Sequence, residues 1–133
     1  DTKNAMMTIQ NFIEKQSDSL TGGLVLREFL DLISIGEHAD SGMPLSEEYR
    51  VFVLNNQPIA IESYWHRSNS RISNSEIAWI KEISGRITSR FVTIDLARKI
   101  DGELVIMELG DGQVSGLQEI VPIELYNSIK QVI

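Results

Sequence analysis

Residues 91–117 read FVTIDLARKIDGELVIMELGDGQVSGL, and this stretch decides the fold. Asp101-Gly102 is a favoured two-residue β-turn, and it lies between two runs of hydrophobic and β-branched residues. The pattern predicts a β-hairpin followed by a polar loop. One face of the hairpin is expected to pack in a core, and its residues are Val92, Ile94, Leu96, Val105, Met107 and Leu109.

The register of this hairpin brings two carboxylates together. If Ile100 faces Glu103 across the turn, Asp95 lies directly opposite Glu108, with both side chains on the second face. Opposed like charges cost stability unless something compensates them, and a divalent cation is the usual compensation. Asp111 follows in the polar loop and is a third candidate ligand. The sequence therefore predicts a metal site on one side of the hairpin and a core on the other.

The composition restricts both the partners and the metal. The chain has 133 residues and a formal net charge of -7, without a tract rich in lysine or arginine, which argues against nucleic acid or an anionic membrane as the main partner. It has no cysteine and only two histidines, so a metal site is expected to use oxygen ligands, with Mg²⁺ the first candidate and Mn²⁺ the second. No membrane-spanning apolar run and no signal peptide are visible, so we expect a cytoplasmic location.

Hydrophobic periodicity and turn residues divide the rest of the chain into short elements. The expected elements are a helix over residues 1–20, a strand over 24–29, a loop over 34–46, strands over 49–54 and 57–65 joined at Asn55-Asn56, a helix from Asn74 or Ser75 to about residue 88, and a terminal helix over 122–133. Helices packed on strands that pair as hairpins define an α+β fold with a mostly antiparallel sheet. We expect a single domain over residues 1–133.

Two arginines lie inside the predicted apolar strands. Arg27 by itself is better explained by a salt bridge at a strand end than by a ligand, but Arg50 repeats the pattern in the next strand. Guanidinium groups suit phosphate oxygens. A metal held by few carboxylates and completed by phosphates is how magnesium binds in nucleotide enzymes, so the charges together predict a metal–phosphate ligand.

Three further features are ambiguous between structure and binding. Tyr64 and Trp65 could line a ligand pocket, although such aromatic residues more often cover a core. His66 could be a base or a ligand, but a histidine beside tryptophan is more often structural. Residues 110–117 combine three glycines with Asp, Gln and Ser, which favours a binding site over a plain flexible turn.

These residues resemble the C-terminal half of an ATP-grasp domain. The resemblance rests on Asp95 with Leu96-Ala97, on Glu108 thirteen residues further, and on the glycine-rich loop that follows. The segments VLREFL and SEEYRVFVLNNQPI also fit. The chain is similar to the ATP-grasp clade named for two arginines and a lysine, whose members carry segments like REF, EYRVFV and ELGDGQVSGL. The resemblance covers roughly residues 22–120.

The resemblance implies ATP and Mg²⁺ as cofactors, with Asp95 and Glu108 as magnesium ligands. The family's third ligand is usually an asparagine two residues after the glutamate, where this chain has Gly110, so Asp111 would have to serve. The resemblance also implies that the backbone around Arg27, Glu28 and Phe29 holds adenine and that Glu48 contacts the ribose. Arg27 and Arg50 would contact phosphate as the catalytic groups. Gln113 and Ser115 would contact the acceptor substrate.

The activity that the resemblance implies is an ATP-dependent ligase, which activates a carboxylate as an acyl phosphate and joins it to an amine or thiol. A full ATP-grasp domain also has a first half with phosphate-binding lysines and a glycine-rich flap, for which this chain has no room. We therefore expect a subdomain that binds nucleotide weakly alone and is inactive alone, and the helix over residues 1–20 could be the last piece of that half. The alternatives are a non-catalytic binding module, a plain structural domain with solvated carboxylates, and a homodimeric state of any of these.

Overall fold

The computed structural model of the protein describes residues 2–65 and 71–133, so the prediction for His66 lies outside the described residues. The elements in chain order are helix α1 (Thr2–Gln16), a 3-10 turn (Ser17–Ser19), strands β1 (Ser34–Glu37), β2 (Pro44–Ser46), β3 (Glu48–Leu54) and β4 (Gln57–Ser63), helix α2 (Asn74–Ser84), strands β5 (Phe91–Arg98) and β6 (Leu104–Asp111), and helix α3 (Pro122–Val132). Among these residues no helix has both the length and the apolar character needed to cross a membrane.

Four strands form the main sheet in the order β4-β3-β5-β6, and every neighbouring pair is antiparallel. Strands β1 and β2 form a separate antiparallel pair. The prediction of an α+β fold with a mostly antiparallel sheet is therefore confirmed. Asn55 and Asn56 make the β3–β4 turn with φ angles of 50° and 64°, the left-handed conformation that two-residue hairpin turns require.

The two faces of the sheet pack against different helices. Helix α2 covers one face, where the buried core residues are Tyr49, Val51, Val53, Ile80, Val92, Ile94 and Leu96. Helix α3 covers one end of the opposite face, where Phe52 packs with Ile120 and Leu125. The remaining end of that second face carries Arg50 and Asp95, which pair with each other across β3 and β5. Packing therefore leaves one open region on the sheet, and it is lined by charged residues.

Helix α2 begins and ends differently from the prediction. Ser73 is the N-cap, one residue earlier than expected. Its hydroxyl accepts from the Glu76 backbone N–H, and the Glu76 carboxylate accepts from the Ser73 backbone N–H, which makes a capping box. The helix ends at Ser84 rather than near residue 88. Hydrogen bonds from Arg86 to Ile83 and from Ile87 to Ser84 tighten the chain after that point.

The predicted strand over residues 24–29 does not form. These residues are irregular and mostly exposed, and Val25, Leu26 and Phe29 are 83%, 72% and 88% exposed. A β-like run becomes a strand only when another strand pairs with it, and the β-bridge to the hairpin lies after this segment, at Leu32, which pairs with Lys99. The expected loop over residues 34–46 is also wrong in part, because it contains β1 and β2.

The β5–β6 hairpin reaches the predicted pairing of Asp95 with Glu108 by an unexpected route. Lys99 and Glu103 close the turn with a hydrogen bond of 2.9 Å, so the turn is one residue longer than expected. A bulge then shifts the register between Asp95 and Leu96. The extra residue on β6 restores the pairing, so Asp95 lies directly opposite Glu108 and that prediction is confirmed.

The predicted core face of the hairpin is wrong in part, because the register near the turn differs from the predicted one. Leu104, which was not in the predicted set, packs against the core beneath α2, whereas Val105, which was, does not belong to that core cluster. Leu109 is 54% exposed because β6 is the edge strand and the core centres on β3 and β5. Val92, Ile94 and Leu96 are buried as predicted.

Candidate active site

A cavity of about 720 Å³ lies between residues 25–32 and the open end of the sheet. Its lining residues are Val25, Arg27, Glu28, Phe29, Leu30, Leu32, Glu48, Tyr64, Asp95, Ile106, Met107 and Glu108. Six of these were predicted as site residues, namely Arg27, Glu28, Phe29, Glu48, Asp95 and Glu108. The volume and the mixed lining are typical of a small-molecule site.

One wall of the cavity is apolar. It combines Phe29 and Leu30 from the irregular segment with Ile106 and Met107 from β6. The Arg27 guanidinium donates a hydrogen bond to the Met107 carbonyl, which fastens the irregular segment to the sheet edge. A planar aromatic ligand can lie against such a wall, while the backbone of an irregular segment offers hydrogen-bonding groups that no sheet has used.

The cavity lining is also acidic. Four carboxylates, those of Glu28, Glu48, Asp95 and Glu108, line it together with one arginine, Arg27. The Glu48 carboxylate accepts a hydrogen bond from the Ser46 hydroxyl, which fixes its position. An anionic ligand would be repelled by this set unless a cation accompanied it.

Arg50 binds Asp95 at the back of the cavity. Its Nε donates to Asp95 Oδ1 at 2.8 Å and its second terminal nitrogen donates to Oδ2 at 2.6 Å, which is the two-pronged geometry of a strong ion pair. The two side chains are 9% and 10% exposed. The hydrogen bond to Asp95 raises the pKa of Arg50 above its ordinary value, although burial opposes this.

The other contacts of Arg50 hold its guanidinium in place. Its first terminal nitrogen donates to the carbonyl of Gly116 at 2.9 Å, and its guanidinium carbon lies 4.7 Å from the centre of the Tyr64 ring. Arg50 is absent from the cavity lining, whereas Tyr64 belongs to it. The prediction that Arg50 points into the cleft towards phosphate is therefore not what the structure shows. Arg50 lies behind Asp95 and ties it to the loop after β6.

Two hydroxyl groups occupy the space beside Gly110. Thr93 lies directly opposite Gly110 in the hairpin, and its hydroxyl lies 2.8 Å from that of Ser115. The Ser115 hydroxyl also donates to the Asp111 carbonyl at 2.7 Å, so it must accept from Thr93. Ser115 therefore supports the loop on the sheet, and it lies outside the set of residues that line the cavity.

Asp111 and Gln113 are separated from the carboxylate pair. Asp111 pairs with Val92 at the far end of the hairpin, and its carboxylate accepts from the Gln113 backbone at 2.8 Å. Because Asp111 is three residues from Glu108, its side chain points to the other face of the strand. Within residues 2–65 and 71–133, no group of three or more His, Cys, Asp or Glu side chains is arranged to hold a metal.

Gln113 instead lines a separate cavity of about 210 Å³ with Phe91 and residues of α3. The structure thus does not bring the predicted acceptor residue Gln113, or the predicted third metal ligand Asp111, to the cavity beside Glu108. The contribution of Ile106 and Met107 to the cavity was not predicted from the sequence. An alternating pattern assigns these two residues to opposite faces, and only the bulge lets both approach the cavity.

Comparison with known proteins identifies the family. The model of family 3 in the ATP-grasp clade named for two arginines and a lysine matches residues 1–129. The chain therefore belongs to this clade of the ATP-grasp family, and the match extends beyond the residues 22–120 on which the resemblance rested. No curated protein matches the chain.

A solved structure described as the ATP-grasp ligase PsnB complexed with a minimal precursor is also similar to this chain. The two share 16% sequence identity with a TM-score of 0.43, and the match covers 96% of this chain and 52% of that chain. This chain therefore spans about half the length of the ligase chain that it matches.

Proposed function

We propose that this chain is the nucleotide- and magnesium-binding half of an ATP-dependent ligase that activates a carboxylate as an acyl phosphate and joins it to an amine or thiol. The observation that supports this most is the cavity in which an apolar wall lies beside the opposed carboxylates of Asp95 and Glu108. Membership of the ATP-grasp family supports nucleotide as the ligand.

In this proposal the adenine lies against the apolar wall and hydrogen-bonds the backbone around Arg27, Glu28 and Phe29. Glu48, which is held by Ser46, accepts from the ribose hydroxyls. Arg27 lines the cavity and would contact the phosphates through the guanidinium nitrogens that do not bond Met107. The acceptor would bind beyond the phosphates, and neither Gln113 nor Ser115 lines the cavity to meet it.

Asp95 and Glu108 would hold Mg²⁺, because hard oxygen donors suit this ion. Both Asp95 oxygens already accept from Arg50, but each carboxylate oxygen has a second lone pair, so the donor set fits an ion completed by phosphates and water. Asp111 points away and is not part of this set. The metal would neutralise charge on the transferring phosphoryl group.

A further ATP-grasp half would supply the phosphate-binding lysines and the glycine-rich flap that the family resemblance implies. The described cavity offers only Arg27 as a positive group for the phosphates, which is consistent with such a division of the site. Under this proposal the chain alone binds Mg²⁺–ATP weakly and does not turn it over.

A second candidate function is a non-catalytic ATP-grasp module. The observation that favours it is that Arg50 already neutralises Asp95, and that Gly110 replaces the asparagine expected as a third ligand. Such a module would keep the cavity but bind its ligand without a metal.

Calorimetric titration of Mg²⁺–ATP into the protein separates the two candidates. Glu108→Gln should abolish the Mg²⁺-dependent part of the binding, whereas Glu103→Gln, a change in the turn of the same hairpin at a residue that pairs with Lys99, should not alter it. Unchanged nucleotide binding in Glu108→Gln would rule out the metal site and favour the non-catalytic module.

A further inference from the structure

The ion pair between Arg50 and Asp95 occupies the carboxylate on which the proposed magnesium site depends. We infer that Arg50 is a positioning residue that acts as an internal counter-cation: it neutralises Asp95 in the metal-free protein and weakens its hold on Asp95 when Mg²⁺–nucleotide binds. This inference rests on the proposed function and assigns Arg50 a role different from phosphate binding.

The geometry indicates that the Arg50 guanidinium holds Asp95 and does not reach a ligand. The guanidinium meets the carboxylate with two hydrogen bonds of 2.8 and 2.6 Å, one to each oxygen, and the pair is almost entirely buried. The Tyr64 ring packs against the guanidinium, with its hydroxyl 3.5 Å from an Arg50 nitrogen. A guanidinium held on these sides cannot also grip a phosphate without moving.

Charge explains why the metal and Arg50 compete. A divalent ion at Asp95 would lie close to the guanidinium, and like charges at such a distance repel strongly in a partly buried site. The metal alone is therefore expected to bind weakly. The phosphates of a nucleotide would offset this repulsion, because they hold the metal and their negative charge neutralises it beside the guanidinium.

The same side chain connects the metal site to the loop after β6. Arg50 donates to the Gly116 carbonyl, and the neighbouring Ser115 is held to Thr93. Weakening the Arg50–Asp95 bonds would move the guanidinium and loosen the Gly116 contact first. The loop over residues 112–118 would then respond to metal and nucleotide although it does not line the cavity.

Nuclear magnetic resonance of the arginine Nε–H groups in the intact protein tests this directly. The Arg50 signal is assigned by its absence from the spectrum of Arg50→Lys. Saturating Mg²⁺–ATP should shift this signal and speed its exchange with water, and the backbone signal of Gly116 should shift with it. An Arg50 signal that stays in place while Mg²⁺–ATP binds would overturn the inference and leave the proposed function intact.

Binding of Mn²⁺ without nucleotide gives a second readout. Arg50→Met removes the competing charge and should tighten Mn²⁺ binding roughly tenfold or more. Arg50→Lys keeps the charge and should leave the affinity within about twofold of the original. Equal or weaker Mn²⁺ binding by folded Arg50→Met would overturn the inference.

Removal of Arg50 leaves Asp95 without its ion-pair partner, so thermal unfolding of each variant must be measured first. If Arg50→Met does not fold, the measurement on the unmodified protein decides the question. Absence of any Mg²⁺–ATP binding by the unmodified protein would instead contradict the proposed function.

Discussion

A Cβ atom on residue 110 would lie 2.6 Å from the hydroxyl oxygen of Thr93, closer than packed atoms approach. It would also lie 3.0 Å from the Ser115 hydroxyl. Gly110 is therefore required by space, because Thr93 and Ser115 fill the place of its side chain. The asparagine that the family resemblance implies as a metal ligand at this position could not be accommodated without moving Thr93 or Ser115.

We predict that Gly110→Ala lowers the free energy of unfolding by about 1–3 kcal/mol, the usual cost of overpacking. The cost should be smaller in a Thr93→Ala background, because the closest atom is then absent. Denaturant unfolding of the two single variants and the double variant measures this coupling. Strict additivity would show that Thr93 does not set the glycine requirement.

Phe29 gives a test that separates binding from stability. Its side chain is 88% exposed yet lines the cavity, so Phe29→Ala should leave the unfolding free energy nearly unchanged. If the ring lies against the adenine, the variant should lose roughly 1 kcal/mol or more of binding, about a fivefold weaker affinity for Mg²⁺–ATP.

A matched control for this prediction is Val114→Ala, which alters an 83% exposed apolar residue outside the cavity. Val114→Ala should change neither the free energy of unfolding nor the affinity for Mg²⁺–ATP. Equal nucleotide affinity of Phe29→Ala and Val114→Ala would show that the adenine does not lie against the Phe29 ring.

The β5–β6 hairpin could be predicted from the sequence, because alternation and turn chemistry are local signals. The longer turn closed by Lys99 and Glu103 could not, since the same hydrophobic pattern tolerates either turn. The pairing of Asp95 with Glu108 was predicted correctly only because the bulge on β6 offsets the longer turn. The register near the turn, and with it the packing of Leu104, was wrong for the same reason.

The role of Arg50 depends on long-range pairing. The sequence marks it as a charge in an apolar strand, but only the strand order β4-β3-β5-β6 places it beside Asp95. Arg27 was marked by the same argument, although its segment forms no strand. Whether an apolar run finds a partner strand is decided by the whole fold and not by its own residues.

Glu76 in helix α2 should make the stability of the protein depend on pH in the acid range. Burial alone would raise the pKa of Glu76, but hydrogen bonds from Arg98 and Ser73 outweigh it and lower the pKa to about 2. The folded pKa lies below the ordinary 4.5, so this contribution is complete above about pH 4.5 and is lost as the pH falls towards 2. We predict a loss on the order of 2–3 kcal/mol over this range from this one group.

Denaturant unfolding at several pH values measures this contribution. Glu76→Gln should be less stable at neutral pH and should show a weaker pH dependence below pH 4.5 than the unmodified protein. Glu82→Gln on the same helix is the control, because its ion pair with Arg86 is largely exposed and should contribute little. Parallel pH curves for the unmodified protein and Glu76→Gln would contradict the assignment.

We propose that the acidic cavity accepts a nucleotide together with a metal ion. Four carboxylates line it, so the triphosphate alone should be repelled. The most direct measurement compares ATP binding by the unmodified protein in excess Mg²⁺ and in a chelator. The affinity should be at least about tenfold higher with Mg²⁺. Equal affinity under the two conditions, or no binding under either, would contradict it.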